Sequence, residues 1–154
     1  QVSPVGLLFF GKTTMSLRPL LPLLALIPLS ACAALPWSGD ARSGLGGDWR
    51  LTATPDGAVA DPAKYQLSFQ PQGRAAFKLD CNRANGIWEA KPHGAGGALT
   101  FGPLAMTRAL CGAGSLDTRI ARDMGKVESY TLQGGALSLN LKDGGAYTWV
   151  RTAR

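Results

Sequence analysis

The stretch ALSLNLKDGGAYTWVRT, Ala136 to Thr152, decides the fold. Leu137, Leu139 and Leu141 alternate with Ser138, Asn140 and Lys142, so an extended backbone puts the leucines on one face and the polar groups on the other. KDGG follows, with glycines that tolerate the positive φ of a tight hairpin, and a second strand runs from Ala146 to Thr152. Two such runs joined by a short turn predict neighbouring antiparallel strands with one wet face.

The same alternation recurs upstream. Tyr65, Leu67 and Phe69 share a face, as do Ala75, Phe77 and Leu79, and QPQG and QGG supply further turns. The expected strands are Trp49–Thr54, Lys64–Gln70, Arg74–Leu79, Gly86–Ala90, Ala98–Phe101, Val127–Leu132, Ala136–Lys142 and Ala146–Thr152. One helix interrupts them in GSLDTRIARDMGKV, residues 114–127, where Leu116, Ile120, Met124 and Val127 fall at helical spacing and would pack on the sheet. Ser115 or Gly114 is its expected cap, and Asp117 sits where the helix dipole favours an anion. A curved antiparallel sheet must close or be covered to hide its edges. The predicted fold class is therefore mainly β: a small antiparallel barrel-like domain of about seven to eight strands with one α-helix.

A chain of 154 residues allows one such domain. At 45% hydrophobic and 17% charged residues it is not a disordered composition. Its net charge of +6 comes from Lys and Arg scattered singly along the sequence, with no run that would track a phosphate backbone. Nucleic acid is therefore not an expected partner, and mild attraction to anionic lipid or polymer is.

MSLRPLLPLLALIPLSAC, from Met15, reads as an export signal: Arg18, then an apolar run from Leu20 to Leu29 that is too short to span a bilayer. Its end, Leu29-Ser30-Ala31-Cys32, resembles the bacterial lipobox, which makes Cys32 the expected lipidation site. Residues 1–31 are then the signal region, with 1–14 upstream of the true start at Met15. Removing Lys12 and Arg18 with that leader takes +6 to +4. The Gly, Ser, Pro and Ala-rich segment after Cys32 reads as a tether through residue 47, and the folded domain as 48–154. Residue 33 is Ala, not the Asp that tends to retain lipoproteins at the inner membrane. The expected location is the outer membrane, lipid-anchored and facing the periplasm, where two or more acyl chains hold a protein firmly.

LDCNRANGIW, Leu79 to Trp88, carries the chemistry. In an oxidising compartment Cys81 and Cys111 are expected to pair as a disulfide, with free buried thiols, a nucleophile or a metal ligand as the alternatives. A nucleophilic Cys81 would need a base, and the chain has one histidine, His93, expected to be solvated. A structural zinc site wants four N or S ligands, and two cysteines and one histidine do not supply them. Asn82 is expected to bond its local backbone, Arg83 to link loops or to pair with Asp80 or Glu89, and Asn85-Gly86 to form a turn. No catalytic triad, phosphate loop or spaced carboxylate pair is present, so no enzyme, cofactor or metal is implied.

Taken in order, Trp49-x-Leu51, CNRANGIW, LTFGPLAMTRALC, the helix and LSLNLKDGGAYTWVR resemble the META domain family, the HslJ-like heat-shock lipoproteins, over Asp48 to Arg151. The family's Cys-Asn-x-x-x-Gly pattern falls on Cys81, Asn82 and Gly86, with Arg83 inside it, and its Met-Thr-x-x-x-Cys pattern on Met106, Thr107 and Cys111. Asp80 stands where the family usually has Gly, and Trp88 where Tyr or Phe is common. The resemblance implies a compact β-rich domain with a helix, exported, linked in some members to heat shock, antibiotic tolerance or virulence, and with no established catalytic activity. The expected function is a non-enzymatic envelope lipoprotein that supports stress tolerance by binding an envelope protein or polymer. The alternatives are an inhibitor of a secreted hydrolase and a carrier of a small apolar ligand. For the carrier, Phe69, Phe77, Trp88, Phe101, Tyr147 and Trp149 would line a cavity instead of filling the core.

Overall fold

The computed structural model describes residues 43–152. The expected signal region, Cys32 and most of the expected tether lie outside them. Ten strands and one helix follow: β1 (Gly47–Thr54), β2 (Gly57–Ala58), β3 (Tyr65–Gln70), β4 (Arg74–Leu79), β5 (Asn82–His93), β6 (Gly96–Phe101), β7 (Ala105–Met106), α1 (Asp117–Met124), β8 (Val127–Gln133), β9 (Ala136–Leu141) and β10 (Ala146–Arg151). The ladder β1-β3-β4-β5-β6-β8-β9-β10 returns to β1 through the β10–β1 pairing, closing an eight-stranded barrel in which every neighbour is antiparallel. β2 extends β1, and β7 lies beside β5.

Alternation builds this barrel as the sequence predicts. Leu137, Leu139 and Leu141 point inward, opposite Trp149 and Tyr147 of β10. Phe69 meets Trp88 edge-on at 5.0 Å, and Phe101 joins them at 5.9 Å from Phe69 and 5.6 Å from Phe77. The six aromatics that could have lined a cavity are thus all buried, four of them packed ring on ring. α1 turns Ile120 and Met124, both fully buried, into the same core. Tyr65 Oη of β3 accepts from the Leu116 N–H at 3.0 Å, and Tyr147 Oη of β10 donates to Asp123 at 2.8 Å, so the helix is tied to two strands of the wall.

Four details differ from the sequence reading. The helix cap is Leu116, whose side chain has no acceptor and so makes no cap bond; Ser115, one residue earlier, accepts from the Asp117 N–H at 3.5 Å and its hydroxyl bonds the Asp117 carboxylate. Packing begins before Asp48: Leu45 is fully buried, Trp49 Nε1 donates to Leu45 O at 2.8 Å, and the Arg151 guanidinium donates to Gly44 O and Gly46 O, each at 2.7 Å. β5 starts at Asn82, so Asn85 and Gly86 lie inside a strand and not in a turn, opposite Ala76 and Ala75 of β4. Gly86 is closely approached: a Cβ there would stand 2.5 Å from Leu104 Cδ2 and 3.3 Å from Pro103 O, so a side chain at 86 would displace Leu104. The real turn is one step earlier, where Asp80 takes φ of 57°, the left-handed region that glycine favours and Asp tolerates.

All the residues of this core lie between Leu45 and Trp149, and the barrel closes within Gly47–Arg151, so the segment 43–154 carries its own core and its own complete sheet and folds as a unit. Among the described residues no helix is long and apolar enough to cross a membrane.

Candidate functional site

The segment after β6, residues 102–116, runs antiparallel along the free edge of the first half of β5. The Gly102 N–H donates to Ile87 O at 2.9 Å, β7 pairs Ala105 with Asn85 and Met106 with Ala84, and the Thr107 N–H donates to Arg83 O at 3.0 Å. Asn82, only 1% exposed, is the hub that fixes the end of this segment. Its Nδ2 donates to Asp117 Oδ2 at 2.8 Å and to Ala109 O at 2.9 Å, with Cys111 Sγ at 3.3 Å. Its Oδ1 accepts from Thr107 Oγ1 and from the Ala109 N–H, both at 2.8 Å. Both faces of one amide are used, and the partners lie 25 to 35 residues away instead of in the local backbone. Thr107 Oγ1 in turn accepts from the Arg83 N–H at 3.0 Å.

Cys81 and Cys111 are bridged, with a Cα separation of 5.5 Å, next to this hub. Family-motif residues far apart in sequence therefore converge: Cys81, Asn82, Thr107 and Cys111 make one knot, Gly86 lets Leu104 approach, and Met106 is half-buried on β7. Arg83 does not join them. Its side chain is exposed and makes no ion pair with Asp80 or Glu89, because Asp80 is claimed by Lys64 at 3.7 Å and Arg83 faces outward from the barrel. His93 is exposed at the far end of β5. Among the described residues no three His, Cys, Asp or Glu side chains are grouped to hold a metal.

Burial works against ionisation of Asp117, but the Thr118 backbone N–H, the Asn82 amide and the Ser115 and Thr118 hydroxyls outweigh it and hold its carboxyl below the ordinary value. Asp123 is the buried acid among the described residues, at 5% exposure, and the sequence pattern does not single it out. Burial again opposes its charge, and the Tyr147 hydroxyl, Arg122 and Lys126 overcome that, placing its pKa below the ordinary 3.8. Burial first, and then the Asp123 charge, raises the Tyr147 phenol. A depressed carboxyl contributes stability above its unfolded value and loses it as pH falls through the folded one; a raised phenol contributes below its unfolded 10.0 and loses it at higher pH. The melting temperature should therefore fall as pH drops below about 4 and again above about 10. Asp123→Asn should be less stable at neutral pH and show a flatter acid limb in a series of thermal melts.

Between the 104–110 segment and α1 lies an open cleft of about 430 Å³, with Leu104, Met106, Arg108 and Leu110 on one wall, Asp117, Thr118 and Ala121 on the other, and Asn82 behind. Leu104 and Ala121 carry it on into a second hollow of about 320 Å³ under Phe101 and Pro103. Leu110 is fully exposed at its rim. A third cleft, about 490 Å³, separates the β1–β2 turn from residues 113–119, where Arg119 pairs with Asp56. The open surface of the cleft beside α1 is mixed: Leu104, Met106, Leu110 and Ala121 are apolar, Arg108, Asp117 and Thr118 are polar, and among the described residues Arg108 forms no ion pair.

A family model described as META domain matches residues 43–154. No curated protein matches the sequence. Among solved structures, an NMR structure of a protein from Burkholderia xenovorans is similar at 23% identity and TM-score 0.60, over 89% of this chain and 100% of that one. A second NMR structure is similar at 23% identity and TM-score 0.51, over 69% of this chain and 89% of that one. A DUF4847 family protein from Bacteroides vulgatus shares 10% identity at TM-score 0.52, over 71% of this chain and 95% of that one. At these identities the structural likeness speaks to the fold alone.

Proposed function

Starting from the fact that the chain belongs to the META domain family, we propose that it is a non-enzymatic bacterial envelope lipoprotein, anchored through Cys32 to the outer membrane and facing the periplasm. There it supports envelope and heat-shock tolerance by binding another envelope macromolecule. One observation carries this reading: the motif residues that a catalytic interpretation would need are consumed in holding one another, Asn82 through five contacts and Cys81 through Cys111. The groove of Leu104, Met106, Leu110 and Ala121 is the surface left for a partner. The carrier reading gains little, since Phe69, Phe77, Trp88 and Phe101 pack against one another inside the barrel.

The test combines mass spectrometry of the membrane fraction with complementation. Acyl mass on Cys32 is expected, as is loss of growth at raised temperature in a deletion strain, restored by the wild type but not by Leu110→Asp, which leaves the melting temperature unchanged. An unacylated chain in the cytosol would sink the anchor. An envelope substrate turned over by the purified domain, with turnover abolished by one polar substitution, would sink the non-enzymatic reading.

A further inference from the structure

The cations that look scattered in sequence are gathered by strand register. Arg50 of β1 pairs with Gln66 of β3, Gln66 with Lys78 of β4, and Lys78 with Arg83 of β5, so one row across four strands carries three positive charges. Two residues along each strand, a parallel row runs Asp48, Ser68, Ala76, Asn85. Beyond it, Gln70, Arg74 and Ile87 stand abreast. The face spans roughly 14 Å across three strand spacings and about 13 Å along β4.

Three features single this face out. Lys78 and Arg83 lie directly opposite each other, a like-charge pairing that destabilises a sheet unless something else neutralises it. Among the described residues none of Arg50, Arg74, Lys78 and Arg83 forms an ion pair; the Lys78 ammonium reaches only Ala63 O, at 3.2 Å. The acids nearest the patch are Asp48, one row away, Asp80, two residues beyond Lys78 and paired with Lys64 at 3.7 Å, and Glu89, beyond the end of β4. The opposite wall differs: Ser129, Thr131, Ser138, Asn140 and Thr148, the paired outward positions of β8, β9 and β10, are uncharged. The charge therefore belongs to one side of the barrel.

We infer that this wall, Arg50, Arg74, Lys78 and Arg83 with Ile87, docks on an anionic bilayer surface and contacts acidic lipid headgroups. Charge complementarity selects an anion, and Ile87 selects the bilayer: it is 58% exposed and lies beside Arg74, the pairing of an apolar side chain with a cation that an interfacial contact uses. The described Trp, Tyr and Phe residues are all buried, so the wall offers no ring on which a nucleic-acid base could stack. A convex strand face also presents no helix or ribbon to a duplex groove. The inference deepens the envelope reading above, from which it takes the presence of a bilayer within reach. It adds an orientation, with the β3–β4–β5 wall against the membrane.

The experiment uses the segment Ser43–Arg154, which holds the whole core and sheet, with sedimentation against vesicles of phosphatidylglycerol and phosphatidylcholine, and of phosphatidylcholine alone. Arg74→Gln with Arg83→Gln removes two cations whose side chains make no hydrogen bond or ion pair among the described residues, and circular dichroism checks that the fold is retained. A surface cation near an acidic bilayer is worth about fivefold in affinity, so the double variant should bind anionic vesicles about 25-fold more weakly. Wild-type binding should vanish near 0.5 M salt, where the screening length is only a few ångströms. A change of less than twofold in the double variant overturns the inference. So does wild-type binding to duplex DNA or polyglutamate, but not to vesicles, that the double variant loses, because it gives the wall to another partner. Acyl mass at Cys32 is measured separately, so the anchor and the docking wall fail independently.

Discussion

Asn82→Ala should cost about 3 kcal/mol of stability and lower the melting temperature by about 12–15 °C, measured by calorimetry on the segment 43–154. The magnitude follows from what is orphaned. The Ala109 N–H, the Ala109 carbonyl and the Asp117 carboxylate each lose a partner at 2.8 to 2.9 Å. An unpaired buried group costs about 1–3 kcal/mol. The lower end applies here, because the cleft behind Asn82 admits water to part of the knot. Asn82→Asp is the sharper test. It puts a second carboxylate where the amide donated to Asp117, so it should be worse than Ala at neutral pH and recover as pH falls toward 4, the reverse of the wild-type trend.

Removing the Cys81–Cys111 bridge as Cys81→Ser with Cys111→Ser should cost about 3.5 kcal/mol, the chain-entropy value for a loop of this length. The bridged residues are 30 apart. The bond and Asn82 restrain the same segment, so the two losses should not add: the triple variant should be less destabilised than the sum by 0.5 kcal/mol or more. A triple variant that equals the sum would mean that the amide and the disulfide act on separate parts of the fold. Denaturant melts of the four proteins decide it.

How much of this was legible depends on the range of the interaction. β3, β4, β9 and β10 could be read because their alternation is a property of consecutive residues. β7 could not: Ala105 and Met106 carry no period of their own and become a strand only because β5 lies alongside. Asn85-Gly86 has the composition of a turn, and packing against Leu104 overrode it. The pairing of Cys81 with Cys111 was inferred from number and compartment, and the bond is present. The partners of Asn82 left no signal, because Asp117, read as a helix-dipole residue, is 35 positions away. Nearness in sequence points Arg83 to a loop cross-link or to Asp80 or Glu89, and the barrel turns its side chain outward, where it makes no ion pair with either.

By itself the sequence determined which side of each strand is apolar, where the hairpins bend and where the helix lies, since backbone geometry places each residue relative to neighbours two to four positions away. Only the tertiary structure decided that the sheet closes through β10 and β1, that one amide ties the loop to the helix, and that four dispersed cations share a wall. Those are matters of register between strands, set by which partners the whole barrel brings opposite one another, and no local pattern specifies them.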